Sequence, residues 1–215
     1  LLAAMLGGTI LLLATVGRQR PGLVAAGCGI LLVAFVSPLC ALASALFSAR
    51  TVHHILLVAC AAPVFALLLP RGRSGSAALP LAASTGTLWL WHIPAFYTAA
   101  LNDHALYWLM QISLLGTAIW FWHAILSARA AWPAAMVTLA AGVGQMGLLG
   151  ALITFAPRVL YPHHRIAPLT YGIDPLHDQQ LAGLIMWVPA MLPYAVIAGL
   201  IARRAWSDGW RWTPA

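Results

Sequence analysis

Long apolar runs broken by short clusters of Pro, Gly, Arg and Ser set the pattern of the chain. None of the runs alternates with a period of two, so they read as helices rather than strands. An apolar stretch of about 20 residues crosses a bilayer's hydrocarbon at 1.5 Å rise per residue. Spans are predicted at residues 1–16, 23–36, 52–69, 79–92, 104–126, 133–155 and 181–202. The first is closed by GRQRPG, the second by Ser37-Pro38, the third by PRGRSGS and the fourth by Pro94. The Ala/Ser-rich stretch 39–51 is weakly apolar and is expected to continue the second span or to lie near the interface. The expected fold is all-α, a polytopic transmembrane bundle of about seven spans, with residues 1–215 forming one helical domain.

Composition agrees with that pattern. The chain has 215 residues, of which 62% are hydrophobic and 7% charged, whereas a soluble domain carries about 25% charged residues. So much apolar surface cannot be hidden in one core of this size, which argues against a soluble enzyme. The formal net charge of +7 comes from 11 arginines against 4 aspartates, with no Lys or Glu. The arginines stand in ones and twos between apolar runs, without the basic stripe or aromatic platform of a nucleic-acid binder, so no nucleic-acid partner is expected. Cys28, Cys40 and Cys60 show no CxxC spacing.

Arginine positions predict the orientation. With the N-terminus outside, Arg18, Arg20, Arg71, Arg73, Arg129, Arg203, Arg204 and Arg211 fall in inner loops, and Arg50, Arg158 and Arg165 in outer ones. Eight against three is a positive-inside bias, placing the C-terminus in the cytoplasm. The same topology puts His53, His54, His92, His104, His163, His164 and His177 at the outer level, with Asp103, Asp174 and Asp178; only His123 and Asp208 are inner.

That level is the candidate functional face. Neutral imidazole ligates transition metals through one ring nitrogen while the other takes a hydrogen-bond partner. His54, His92 and His177, from spans three, four and seven, would suit copper or zinc, with Asp178 orienting a ring. Adjacent helix positions point about 100° apart, so at most one of His53 and His54 should face the bundle. Interfacial anchoring is the competing account of any one of these histidines. His163-His164, in a loop beside Tyr161-Pro162, reads as surface.

Other features read as architecture. Gln111 and Gln145 are mid-span and are expected to hydrogen-bond between helices. Ala140/Gly144 and Gly147/Ala151 are small-x-x-x-small pairs, predicting a central, closely packed sixth span with Gly144 and Gly147 against neighbours. Pro189 and Pro193 should kink the seventh.

Four segments, VHHILLVACAAPVFALLLP (52–70), LWLWHIPAFYTAAL (88–101), GALITFAPRVLYP (150–162) and GIDPLHDQQLAGLIMWVP (172–189), resemble the CtaG family of multi-span cytochrome c oxidase assembly proteins. The resemblance covers about residues 37–202. It maps the family's histidine opening span three onto His54, its WH-x-P onto Trp91, His92 and Pro94, and its DQQ-x-x-G onto Asp178, Gln179, Gln180 and Gly183. Two departures stand out: Arg50 occupies a position where many members have histidine, and Tyr107-Trp108 replaces a Glu-His pair. His53 and His104 are the candidates to substitute for those ligands.

The resemblance implies a non-enzymatic assembly factor of the bacterial plasma (inner) membrane, assisting copper delivery to a haem-copper oxidase at the outer face. Its expected partners are the lipid bilayer and an oxidase subunit or copper donor protein. Together with the reading of the outer histidines, this gives His54, His92, His177 and Asp178 as the expected metal residues. Alternatives are an integral-membrane scaffold without metal, a zinc-dependent membrane hydrolase and a b-type cytochrome.

Overall fold

The computed structural model describes residues 20–70, 76–126 and 132–209. Every regular element among them is helical. The predicted span 1–16 lies outside the described residues. Helix α1 (Pro21–Phe35) is followed at a 46° bend by α2 (Pro38–Ala45). The bend sits at Ser37-Pro38, where the Ser37 hydroxyl accepts from Leu39 N at 3.2 Å and Pro38 starts the new helix. Proline at that position has no N–H to lose, and its fixed φ suits a first turn.

Helix α3 runs from Phe47 to Leu68 and begins five residues earlier than expected, so part of the stretch 39–51 belongs to it. Its middle, Leu56–Ala61, is π-helical. Pro63, just beyond, cannot donate a backbone bond, and a widened turn accommodates the missing link. One carbonyl of the π segment, that of Val58, accepts from Trp122 Nε1 at 2.8 Å. Helix α4 (Ala78–His92) has 15 residues, about 22 Å of helix, which falls short of a hydrocarbon core about 30 Å thick. It turns at Ile93 into α5 (Pro94–Asn102).

Helices α6 (His104–Leu126) and α7 (Trp132–Thr154) match their predicted spans closely. The last predicted span is two helices, α8 (Pro175–Trp187) and α9 (Met191–Gly209), broken at 188–190 around Pro189. Gly172, at φ +70, ends the preceding 3-10 turn in a left-handed conformation, which only glycine adopts freely. Among the described residues, four helical stretches are long and apolar enough to cross a membrane: α3, α6, α7 and Pro175–Ser207. The bent α1–α2 pair makes a fifth if counted as one span.

The central helix is α3, not the sixth predicted span. Of its most apolar window 61% is buried, against 33% for α7 and 17% for α8–α9. It packs on α1, α2, α6 and α8. Gly144 is also corrected: it lies on an exposed face, and a Cβ there would meet nothing within 4 Å. The close seam of α7 is one turn further on, against α8. A Cβ at Gly150 would sit 2.8 Å from the Gly183 carbonyl oxygen, and one at Gly147 3.3 Å from Trp187. Gln145 likewise points outward, while Gln111 is buried with neither amide atom hydrogen-bonded. Among the described residues neither glutamine makes the expected inter-helix bond.

Candidate functional site

The site is built where α3 begins. A helix start leaves backbone N–H groups without intrahelical partners. Here they are taken by a side chain from far along the chain. Asp178, fully buried in the first turn of α8, accepts from Phe47 N at 2.6 Å, Ser48 N at 3.2 Å and the Ser48 hydroxyl. Its charge also faces the positive end of its own helix, so two helix dipoles and three donors stabilise one carboxylate.

Around this cap a second set of polar groups closes. The Tyr97 hydroxyl and His164 Nε2 are 2.7 Å apart, and His164 Nδ1 is 3.0 Å from the Ala45 carbonyl oxygen. That carbonyl can only accept, so Nδ1 carries the proton and Nε2 accepts from Tyr97. Tyr161 donates to the His92 carbonyl at 2.8 Å, and its ring lies 4.2 Å from that of Phe47. His164, expected at the surface, is therefore a buried fastening between the 155–174 loop, α2 and α5. Burial holds its pKa down at about 4 against an ordinary 6.5, and His163 and Arg50 push the same way; the Ala45 hydrogen bond and Asp178 oppose them.

One to two turns into α3 the situation reverses. His53 and His54 are both buried, correcting the expectation that only one would face inward. His53 meets Phe35 edge-on at 4.9 Å, while His54 lies 6.0 Å from the His92 ring. All four ring nitrogens of His53 and His54 lack a hydrogen-bond partner. A neutral imidazole offers one donor and one acceptor, so an apolar setting that uses neither is costly. On His92, Nδ1 is 2.7 Å from the Leu88 carbonyl oxygen and so carries the proton. The lone pair is left on Nε2.

The predicted ligand set thus divides. His54 and His92 are brought together. His177 is exposed, its Nδ1 4.0 Å from an Asp174 oxygen. Asp178 is buried but committed to the α3 cap, so the expectation that it orients a metal-bound ring gives way to a structural role. A carboxylate at a helix start is held by N–H groups it cannot release cheaply. His104 is exposed and accepts from Trp108 Nε1 at 3.2 Å. The two departures from the resembled pattern meet in space: Arg50 Nη1 is 3.4 Å from the Tyr107 hydroxyl, with its guanidinium 5.3 Å from that ring's centre.

Sequence reasoning missed Tyr97 and Tyr161 as buried hydrogen-bonding partners. The Y at 97, five residues after WH, carried no local signal for its contact 67 residues away.

The ring centres of His54 and His92 are 6.0 Å apart, one ring with a fixed free lone pair and one with both nitrogens uncommitted. Among the described residues no group of three or more His, Cys, Asp or Glu is placed to hold a metal. No curated protein and no solved structure matches the chain. A family model described as cytochrome c oxidase caa3 assembly factor matches residues 74–208, more than half of the chain and including His92, His177 and Asp178. With its all-helical apolar architecture, this match places the chain in the Caa3_CtaG family of cytochrome c oxidase assembly factors.

Proposed function

We propose that the chain assists copper insertion into its oxidase at the outer face of a bacterial plasma membrane, carrying the ion between His54 and His92. The observation behind this reading is the meeting of two buried imidazoles with uncommitted nitrogens. Copper is cargo here, passed from a copper donor protein to an oxidase subunit. Imidazole suits copper among the transition metals, and a pair of ligands releases an ion more readily than a closed set of four. Arg50, one turn before His54, adds positive charge on the same helix face and opposes permanent retention of a cation. The role is binding and transfer, with no catalytic step. The eight-to-three arginine split supports an external N-terminus and a cytoplasmic C-terminus.

The test is titration of the purified chain with Cu(I) against a coloured chelator, beside oxidase activity in a deletion strain. One copper per chain is expected, lost with His54→Leu or His92→Phe, and both variants should lack active oxidase at normal expression. Copper-free wild-type protein, or full oxidase activity with both variants, would overturn the copper reading. A metal-free scaffold is then the conclusion, favoured by the missing third ligand among the described residues. The same observation leaves a zinc hydrolase, which needs three protein ligands, without support.

A further inference from the structure

Between α1–α2 and α5–α6 lies an open cleft of about 930 Å³. Phe35, Val36 and Trp108 give it an apolar wall, and Ser44, Tyr107 and Arg50 a polar one. Arg50 is 2% exposed, and its Nε has no hydrogen-bond partner. Its Nη1 donates to the Tyr107 hydroxyl at a long 3.4 Å, and the guanidinium also lies beside the Tyr97 hydroxyl. Among the described residues the sole ion pair is His177 with Asp174, so no carboxylate lies within 4.0 Å of this guanidinium. Two other lining residues, Asp103 and His104, are engaged locally. Asp103 Oδ1 accepts from Leu106 N at 2.8 Å, and His104 Nε2 accepts from Trp108 Nε1.

Guanidinium stays charged in any protein setting. A charge removed from water requires an opposite charge or a full set of hydrogen bonds, and the cation–π contact with Tyr107 supplies only part of this. No described carboxylate lies within 4.0 Å of the guanidinium, and Arg50 lines a cleft that opens to the outside. We infer that this cleft binds a phosphoryl oxyanion on Arg50, with any apolar portion of the ligand lying along Phe35, Val36 and Trp108. Planar guanidinium donors match two oxygens of such a group at once. Both an anionic phospholipid headgroup and free phosphate carry this chemistry. The apolar wall favours the lipid, whose acyl chains have somewhere to lie. The site lies one turn before His54 on the same helix, and its ligand is recognised without copper.

The test uses the full chain, purified and stripped of lipid, with bound lipid counted by native mass spectrometry and the unfolding midpoint followed in detergent. Added phosphatidylglycerol should be retained and raise the midpoint, whereas phosphatidylcholine should do neither. Arg50→Gln should weaken phosphatidylglycerol binding by about tenfold or more, with Arg50→Lys intermediate because a point charge lacks the two-pronged geometry. Inorganic phosphate that displaces the lipid without raising the midpoint supports the headgroup as occupant. Phosphate that reproduces the full rise supports the site with the free ion as ligand. Should Arg50→Gln fail to fold, Ser44→Asp places a carboxylate on the cleft wall and should abolish lipid retention in a folded protein. Equal phosphatidylglycerol binding by wild type and Ser44→Asp, or no anion-dependent shift at all, would overturn the inference.

Discussion

At Phe47 and Ser48 the opening N–H groups of α3 are all directed to one carboxylate, that of Asp178. Two turns further along the same helix, His53 and His54 present four ring nitrogens with no partner. Both layers are buried, and both sit among aromatic rings. They differ in what removing them would leave behind. Deleting Asp178 strands donors that have no alternative; deleting His54 strands nothing. A satisfied buried polar layer holds a fold together, whereas an unsatisfied one persists against its own cost and so points to a ligand.

The largest break in this contrast is expected from Asp178→Ala. It removes three hydrogen bonds to a charged group and leaves the Phe47 and Ser48 N–H groups buried without acceptors. The loss should be about 3–5 kcal/mol, read as a lowered unfolding midpoint in detergent. Asp178→Asn keeps an acceptor oxygen and should lose about half as much. An unchanged midpoint for Asp178→Ala would remove the structural reading of the upper layer.

Next in size is the α7–α8 seam, which bears on whether α8 is held at the right height to deliver Asp178. Gly150→Leu forces a side chain against the Gly183 backbone, where a Cβ alone would come to 2.8 Å. Overpacking of this kind costs about 1–3 kcal/mol. Gly144→Leu, on the exposed face, should stay within about 0.5 kcal/mol of wild type. Equal losses for the two variants would show that the seam does not set the position of α8.

These particular residues show what a sequence can carry. The bounds of α6 and α7 were legible because local breakers flank each apolar run. The start of α3 at Phe47 was not, since the group that caps it lies 131 residues further along the chain. Arginine counting brought His54 and His92 to one level, and their burial against each other needed the bundle itself. His177 and Asp178 are neighbours in sequence, yet one is exposed and the other fully buried; helical phase, unread at a span end, separates them. The small-residue pattern located the α7 seam to within a turn but picked Gly144 along with Gly147, because spacing alone does not say where the neighbouring helix passes.

A smaller effect is tied to pH. His164 belongs to the satisfied layer, outside the spans, with its pKa depressed to about 4 by burial. A depressed histidine pKa means that the folded state resists protonation while the unfolded chain accepts it near 6.5. Its contribution is therefore complete above pH 6.5 and is lost as pH falls toward 4. Discounted for the loop's partial openness, the change amounts to about 1–2 kcal/mol. His164→Gln should flatten the midpoint-versus-pH curve across that window, at some loss of stability above it because the Tyr97 and Ala45 contacts are weakened. A wild-type curve already flat between pH 6.5 and 4 would count against this account.

The smallest stability change is expected where the functional loss is greatest. His54→Leu replaces a buried imidazole by an aliphatic side chain of similar bulk and removes two polar atoms that bond to nothing. Substituting apolar atoms for unpaired buried polar ones is close to neutral or stabilising, and a swap of similar volume typically costs less than about 1.5 kcal/mol. The midpoint should therefore stay within about 1 kcal/mol of wild type, or rise, while the copper titration loses its site. Set beside Asp178→Ala, this variant separates the two layers of α3 directly, because one substitution is expected to lower stability and the other to abolish copper binding. A large loss of stability in His54→Leu would mean that the imidazole has partners in the folded membrane protein, water among them. The lower layer would then be structural like the upper one, and the oxidase defect would follow from misfolding rather than from copper.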